Sequence, residues 1–169
     1  VEMAKQLIEI AANAGADAVK FQTFKAEKLA SADAPKAVYQ QETTDRAESQ
    51  LDMLKKLELP KEAYPQLIEL CKERNIDFLS TPFEEDSLHF LVDECQLPCL
   101  KIPSGEITNA PFLLEIAHTQ KPVIMSTGMS SLGEIESALG VLAFGYLNDK
   151  EPTSRQDFSK SFSSEMGQQ

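Results

Sequence analysis

The sequence holds little of what many familiar chemistries need. Only 2 of its 169 residues are histidine and 3 are cysteine, and none of these five has the spacing that holds zinc. His89 and His118 lie in helical patterns away from the strand endings, which places them on surfaces or helix ends rather than at a metal. Cys71, Cys95 and Cys99 are odd in number and form no tight pairing pattern, so free thiols in a reducing cytoplasm are expected. The chain has no glycine-rich phosphate loop, and no serine, histidine and aspartate set can be assembled. Basic residues are scarce, 16 Lys and Arg against 27 Asp and Glu, for a formal net charge of -11. That balance argues against a nucleic-acid footprint or an anionic membrane surface as partner. No apolar run approaches the ~20 residues of a membrane span, and there is no charged-then-apolar leader. A cytoplasmic protein without a membrane partner is the expectation.

What the chain does have is alternation. Residues 1–14 carry apolar groups at helical spacing (Met3, Leu7, Ile8, Ile10, Ala11), with Gly15 as a natural stop. A strand is expected over 16–23. Residues 24–50 are polar, alanine-rich and weakly periodic, too long for an ordinary connection and suited to an active-site loop or lid. A short helix over 51–57 and a longer one from Pro60 to Arg74 follow. The second strand is expected over 76–81, and Glu84-Glu85-Asp86 should complement the N-terminus of the next helix. Strands over 99–103 and 122–126 come next, the first followed by a helix capped by Asn109 and running to His118. Ser131-Leu132-Gly133-Glu134 is a capping-box pattern opening a helix to about Tyr146. Residues 148–169 are serine-rich and without apolar periodicity, so the expected division is a folded domain over 1–147 and a polar linker or tail over 148–169.

Short, apolar, non-alternating strands separated by helices indicate a parallel sheet covered on both faces. Thr81, Ser104 and Ser126 are spaced by 23 and 22 residues, a compact strand-plus-helix repeat. The expected fold class is α/β, a partial (β/α)8 TIM barrel with about four of the eight units. A closed barrel takes eight strands and about 250 residues, and this chain opens in a helix that no strand precedes. An internal piece of a larger barrel is therefore expected, one whose open edges favour dimerisation or aggregation.

Each strand ends in groups that can grip an anion: Lys20 and Gln22, Thr81, Lys101 and Ser104, and Ser126. The C-terminal rim of a barrel is where its chemistry sits. Lys20 and Lys101 are flanked by apolar neighbours within strands, which leaves three roles open: a structural ion pair, a Schiff-base nucleophile, or a clamp on phosphate or carboxylate. Two lysines with three hydroxyls favour the clamp. Gln22 shares a strand face with Lys20 and is placed either to orient a substrate carbonyl or to satisfy buried backbone. Glu106 ends Ser104-Gly105-Glu106, where glycine allows close backbone approach. It suits either the hydroxyls of a neutral co-substrate or the nearby helix end.

The stretches Ala14 to Thr23, Phe78 to Phe83, Lys101 to Asn109 and Pro122 to Met129, in this order, resemble the sialic acid synthase family. That family includes N-acetylneuraminate synthase and its legionaminate, pseudaminate and spore-coat polysaccharide relatives. The resemblance covers about residues 1 to 146. It implies a (β/α)8 barrel transferase that condenses phosphoenolpyruvate with an N-acetylated aldose, N-acetylmannosamine in the type case, to give a nine-carbon 2-keto acid and phosphate. Carried over by position, Lys20, Thr81, Lys101, Ser104 and Ser126 become the phosphoenolpyruvate cradle, Glu106 a contact to sugar hydroxyls, and Gln22 a group near the sugar carbonyl. The resemblance also implies a divalent cofactor, Mn2+ or Mg2+, and a homodimer. The family's metal-binding histidines come from later strands, so no metal ligand is expected in these residues. An essential glutamate on its first strand and a C-terminal antifreeze-like domain likewise have no counterpart here, so the chain alone is expected not to turn over. The alternatives are another phosphoenolpyruvate-using barrel of the 3-deoxy-heptulosonate phosphate synthase type, a Schiff-base aldolase, or a non-catalytic degenerate barrel.

Overall fold

The computed structural model describes residues 1–32, 34–36 and 48–168. The chain forms two compact units, Val1–Cys95 and Gln96–Gln169.

In the first unit, α1 (Glu2–Asn13) buries Ala4 and Ile8, four residues apart on one stripe. It stops at Gly15, whose φ of 77° lies in the left-handed region that glycine enters without strain. Strand β1 (Ala18–Thr23) follows, then the short α2 (Ala26–Leu29). Helix α3 (Gln50–Leu57) starts at Ser49, whose hydroxyl accepts from the Asp52 amide at 3.0 Å. Helix α4 (Tyr64–Glu73) has a proline in its first turn, where the missing N–H costs nothing. Strand β2 (Asp77–Pro82) leads to α5 (Glu85–His89), which widens into a π-helical turn over Phe90–Glu94. Glu84 caps α5, accepting from the Ser87 amide at 3.3 Å, in keeping with the acidic start expected there. Within the expected loop or lid over 24–50, residues 33 and 37–47 lie outside the described residues. The described part holds α2 and is tied down by ion pairs from Lys25 to Glu58 (2.7 Å) and Lys36 to Glu48 (3.0 Å).

Strands β1 and β2 run parallel, with Lys20 opposite Leu79 and Gln22 opposite Thr81. The opposite face of the pair is covered by α4. There Phe21 stacks on Phe78 (ring centroids 5.4 Å apart), and the Tyr64 ring sets edge-on against Phe78 and Phe90. Ile8, Tyr64, Leu67, Leu88 and Leu91 are fully buried around them.

The second unit has β3 (Leu100–Ile102), α6 (Ala110–His118), β4 (Val123–Met125), α7 (Leu132–Leu147) and α8 (Arg155–Phe162). Strands β3 and β4 are parallel, with Lys101 opposite Ile124, and are shorter than the sequence pattern predicts. The capping box at Ser131 and Glu134 is formed. Helices α6 and α7 pack so closely that a Cβ on Gly145 would stand 2.6 Å from Ala117 Cβ.

Residues 148–169 differ from the polar tail that the sequence pattern predicts, because α8 occupies their middle. A second capping box, Ser154 with Asp157, starts the helix. Phe158, on the face turned to α7, sets edge-on against Phe144 with ring centroids 5.5 Å apart. Gly140 of α7 lets it approach, since a Cβ there would lie 3.2 Å from the Phe158 carbonyl oxygen. One well-placed aromatic and a cap suffice where a periodic apolar stripe is missing.

Among the described residues, every turn from a helix into the following strand passes through a left-handed residue: Gly15, Asn75, Gln96 and Gln120. Only the first is glycine. At Gln120 the side-chain amide donates to the Ala117 and Tyr146 carbonyls, both at 3.3 Å, which offsets the backbone cost.

Candidate active site

On β1 the exposure alternates, with Ala18, Lys20 and Gln22 open and Val19 and Phe21 half-covered. Lys20 and Gln22 therefore share one face with Leu79 and Thr81 by register, a face that is open along β1 but covered at β2, where Leu79 is half-buried. Thr81 is 2% exposed. Lys20 is exposed and makes no ion pair among the described residues, so a structural salt bridge is not what holds it there.

The reverse face carries a hydroxyl cluster that the sequence reading missed. Thr23 Oγ1 lies 2.8 Å from Tyr64 Oη and 2.7 Å from Ser80 Oγ, all three buried. Burial pushes the Tyr64 phenol up to about 12, while its hydrogen bond with Thr23 works against that rise. The signal was present in the parity of the strands. Thr23 and Ser80 sit one residue from Gln22 and Thr81, and so face the covering helix instead of the open face.

In the second unit, Lys101 projects from the middle of β3, between the buried Leu100 and Ile102. Its Nζ donates to the Ile102 carbonyl at 2.6 Å and to Ser126 Oγ, at the end of β4. The same Ile102 carbonyl accepts from the Ser126 amide at 3.0 Å. Ser104 is half-buried in a 3-10 turn just past β3, and a Cβ on Gly128 would lie 3.6 Å from its Oγ. Lys101, Ser104 and Ser126 are thus gathered at the C-terminal ends of β3 and β4, as an ammonium and two hydroxyls. This is the donor-rich chemistry that binds phosphate or carboxylate. Glu106 closes the 3-10 turn and accepts from Asn109 Nδ2 at 2.7 Å. Asn109, not Glu106, caps α6, its Oδ1 accepting from the Phe112 amide at 3.4 Å.

The remaining candidates are placed as follows. His89 and His118 are exposed; the first lies 3.7 Å from Asp93, the second 3.1 Å from the Asn148 carbonyl. The three cysteines are free thiols, with Cys71 buried. Among the described residues no group of three or more His, Cys, Asp or Glu side chains could hold a metal ion. Among them, too, no helix is long and apolar enough to cross a membrane.

Residues 7–159 match the NeuB family. The chain belongs to the NeuB family. Within it, the chain is 56% identical over 142 residues to an N,N'-diacetyllegionaminic acid synthase of Campylobacter jejuni, an alignment covering 84% of this chain and 42% of the relative. It is 44% identical over 148 residues to the enzyme of the same name from Legionella pneumophila, covering 88% and 41%. The crystal structure of N-acetylneuraminic acid (sialic acid) synthetase from Leptospira borgpetersenii, in complex with citrate, superposes with a TM-score of 0.72. That match has 30% identity and covers 86% of this chain and 46% of the other. The chain therefore spans about two fifths of the length of these curated NeuB relatives. Its fold class is α/β, a partial TIM barrel containing two small parallel sheets.

Proposed function

We propose that this chain carries the phosphoenolpyruvate-gripping part of a synthase that condenses phosphoenolpyruvate with an N-acetylated aldose. The products are a nine-carbon 2-keto sugar acid and inorganic phosphate. The observation that carries the reading is the Lys101, Ser104 and Ser126 cluster at the ends of β3 and β4, in a chain 56% identical to a diacetyllegionaminic acid synthase. The relative's name also supports a reading of the acceptor. Removing the three carbons of phosphoenolpyruvate from a nine-carbon diacetylated product leaves a six-carbon aldose with two acetamido groups. N-acetylmannosamine, with one, is the poorer candidate.

In the reaction, C3 of phosphoenolpyruvate forms a bond to the open-chain aldehyde carbon, whose oxygen takes a proton. Water adds at C2, and the C2–O bond to phosphate breaks, leaving the ketone. In the second unit, Lys101 balances the charge of the bound anion, while the Ser104 and Ser126 hydroxyls donate to its oxygens. For Lys20 and Thr81 of the first unit, a role in gripping phosphoenolpyruvate rests on the family resemblance alone. Gln22 is assigned to the sugar carbonyl and Glu106 to sugar hydroxyls. Manganese or magnesium belongs to the reading of the whole enzyme, but the described side chains do not fit such an ion, and their roles are confined to gripping and orienting substrate. A homodimer in the cytoplasm completes the proposal.

A Schiff-base aldolase is less well supported, because Lys101 Nζ is already engaged with a carbonyl and a hydroxyl. The test is phosphate release by the native gene product, given phosphoenolpyruvate, Mn2+ and either a diacetamido hexose or N-acetylmannosamine. Release that depends on the diacetamido sugar is expected. Release that ignores the sugar, or borohydride trapping of pyruvate on Lys101, overturns the reading. The 169-residue chain by itself is expected to release none.

A further inference from the structure

Glu106 sits one residue past Gly105 in a 3-10 turn, where a carboxylate on its own could adopt several rotamers. Among the described residues, one neighbour restrains it. Asn109 Nδ2 donates to Glu106 Oε2 at 2.7 Å, while the other end of the same amide, Oδ1, accepts from the Phe112 N–H that opens α6. The helix therefore fixes the amide, and the amide fixes the carboxylate. The Glu106 amide also donates to the Pro103 carbonyl at 3.0 Å and the Asn109 amide to the Glu106 carbonyl at 2.9 Å, so the main chain is bound at both ends. The body of α6 gives a firm base, with Phe112, Leu113, Leu114, Ile116 and Ala117 all buried.

We infer that Asn109 is a positioning residue for acceptor-sugar recognition, orienting the Glu106 carboxylate from the N-terminus of α6. The inference rests on the reading of Glu106 as the contact to sugar hydroxyls. Asparagine suits the task because it presents an acceptor to the helix and a donor to the carboxylate at once. Aspartate or serine would cap the helix equally well. Aspartate would not keep the donor, since an ionised carboxylate has none. A carboxylate held in one rotamer meets a hydroxyl without first losing conformational freedom, so the contact acts on sugar affinity.

The substitution that separates the two jobs is Asn109→Asp. It keeps the cap, removes the donor, and sets a second carboxylate against Glu106. In the native gene product, Asn109→Asp is expected to raise the KM for the aldose about tenfold to a hundredfold. The KM for phosphoenolpyruvate should stay within about twofold and the melting temperature unchanged. Asn109→Ala, which loses both functions, should raise the same KM and lower the melting temperature as well. An unchanged aldose KM in Asn109→Asp overturns the inference and leaves Asn109 a helix cap. Equal rises in both KM values overturn it too, as a general disturbance of the turn. A second readout does not depend on turnover. The Asn109 side-chain amide protons, followed by NMR, should shift when Glu106 is replaced by alanine. If they do not shift, the contact is absent and the inference fails. If they shift but no sugar is consumed by the wild type, the fault lies with the proposed function and not with the contact.

Discussion

Replacing Lys101 with methionine keeps an unbranched apolar stem, one atom shorter, and removes the charge. Two consequences can be worked from the hydrogen bonds around Nζ. At these two hydrogen bonds, the loss of stability is small. The Ile102 carbonyl still accepts from the Ser126 amide at 3.0 Å, so it is not orphaned, and the half-buried Ser126 hydroxyl can turn to water. The methionine stem packs between the same apolar neighbours, and a change within about 1 kcal/mol is expected. For binding, the loss is large. A hydrogen bond from an ammonium to an anionic oxygen contributes about 1.5–3 kcal/mol, so the Kd for phosphoenolpyruvate should rise about tenfold to 150-fold. Calorimetric titration of phosphoenolpyruvate into the native gene product, alongside urea unfolding of the same sample, measures both. Lys20→Met is the companion. Lys20 is exposed and unpaired among the described residues, so its loss should weaken binding and leave stability within about 0.5 kcal/mol. The reasoning is refuted if Lys101→Met binds within twofold of the wild type, or if it unfolds more easily by about 3 kcal/mol or more. The second result would make Lys101 a structural lysine.

Three further expectations concern the scaffold. Gly145→Ala gains helix propensity of about 1 kcal/mol, but its Cβ would meet Ala117 Cβ at 2.6 Å and Leu114 Cδ1 at 3.1 Å. Overpacking of this kind outweighs the gain, and a thermal melt should show Tm lowered by several degrees; a raised Tm would contradict the α6–α7 packing. The Tyr64 phenol, pushed up to about 12 from an ordinary value near 10, favours the fold while it is protonated. Its contribution is complete below pH 10 and is lost as pH rises through 12, about 2–3 kcal/mol in all, and Tyr64→Phe should flatten that part of the stability profile. Cys71 is 1% exposed and its thiol is pushed up to about 11 by burial. It should resist a thiol-specific disulfide reagent at pH 8 until the chain unfolds, and rapid reaction in native buffer would contradict its placement.

Much of the fold was legible because helices and strands here differ sharply in pattern. The capping pattern at Ser131 and Glu134, the cap at Asn109 and the stop at Gly15 each name a boundary with a local mechanism, and each is found in place. What escaped the sequence was structure without such a marker. Gln96 and Gln120 turn the chain through left-handed conformations with side chains that do not advertise it, whereas Asn75 is of a type that tolerates that conformation. Helix α8 rests on a cap and on Phe158 meeting a glycine of α7, a pairing visible only once the two helices lie together. The same holds at the candidate site. Lys101 and Ser126 are 25 residues apart in sequence, and only the parallel pairing of β3 with β4 joins them. The second function of Asn109 was hidden for a different reason. Its spacing from Glu106 signals contact, but the residue already had an explanation as a cap.

The parity of β1 shows how tightly the chemistry is bound to the register. Thr23, Ser80 and Tyr64 form a neutral, fully paired hydroxyl cluster under the covering helix. A buried polar group without partners would cost about 1–3 kcal/mol, so this cluster penalises any slip of the strand. A shift of β1 by one residue would break both hydrogen bonds of Thr23. It would also drive the Lys20 ammonium into the face now filled by Phe21, Phe78 and Tyr64. An unpaired charge there would cost more than the hydroxyls do. The buried hydroxyls and the exposed lysine therefore enforce the same register from opposite faces, and that register sets Lys20 and Gln22 on the face that also carries the buried Thr81. Breaking the lock by Thr23→Val should accordingly loosen phosphoenolpyruvate binding without touching any group proposed to contact it. Slow amide exchange of β1 in that variant, matching the wild type, would show that the hydroxyls do not hold the register.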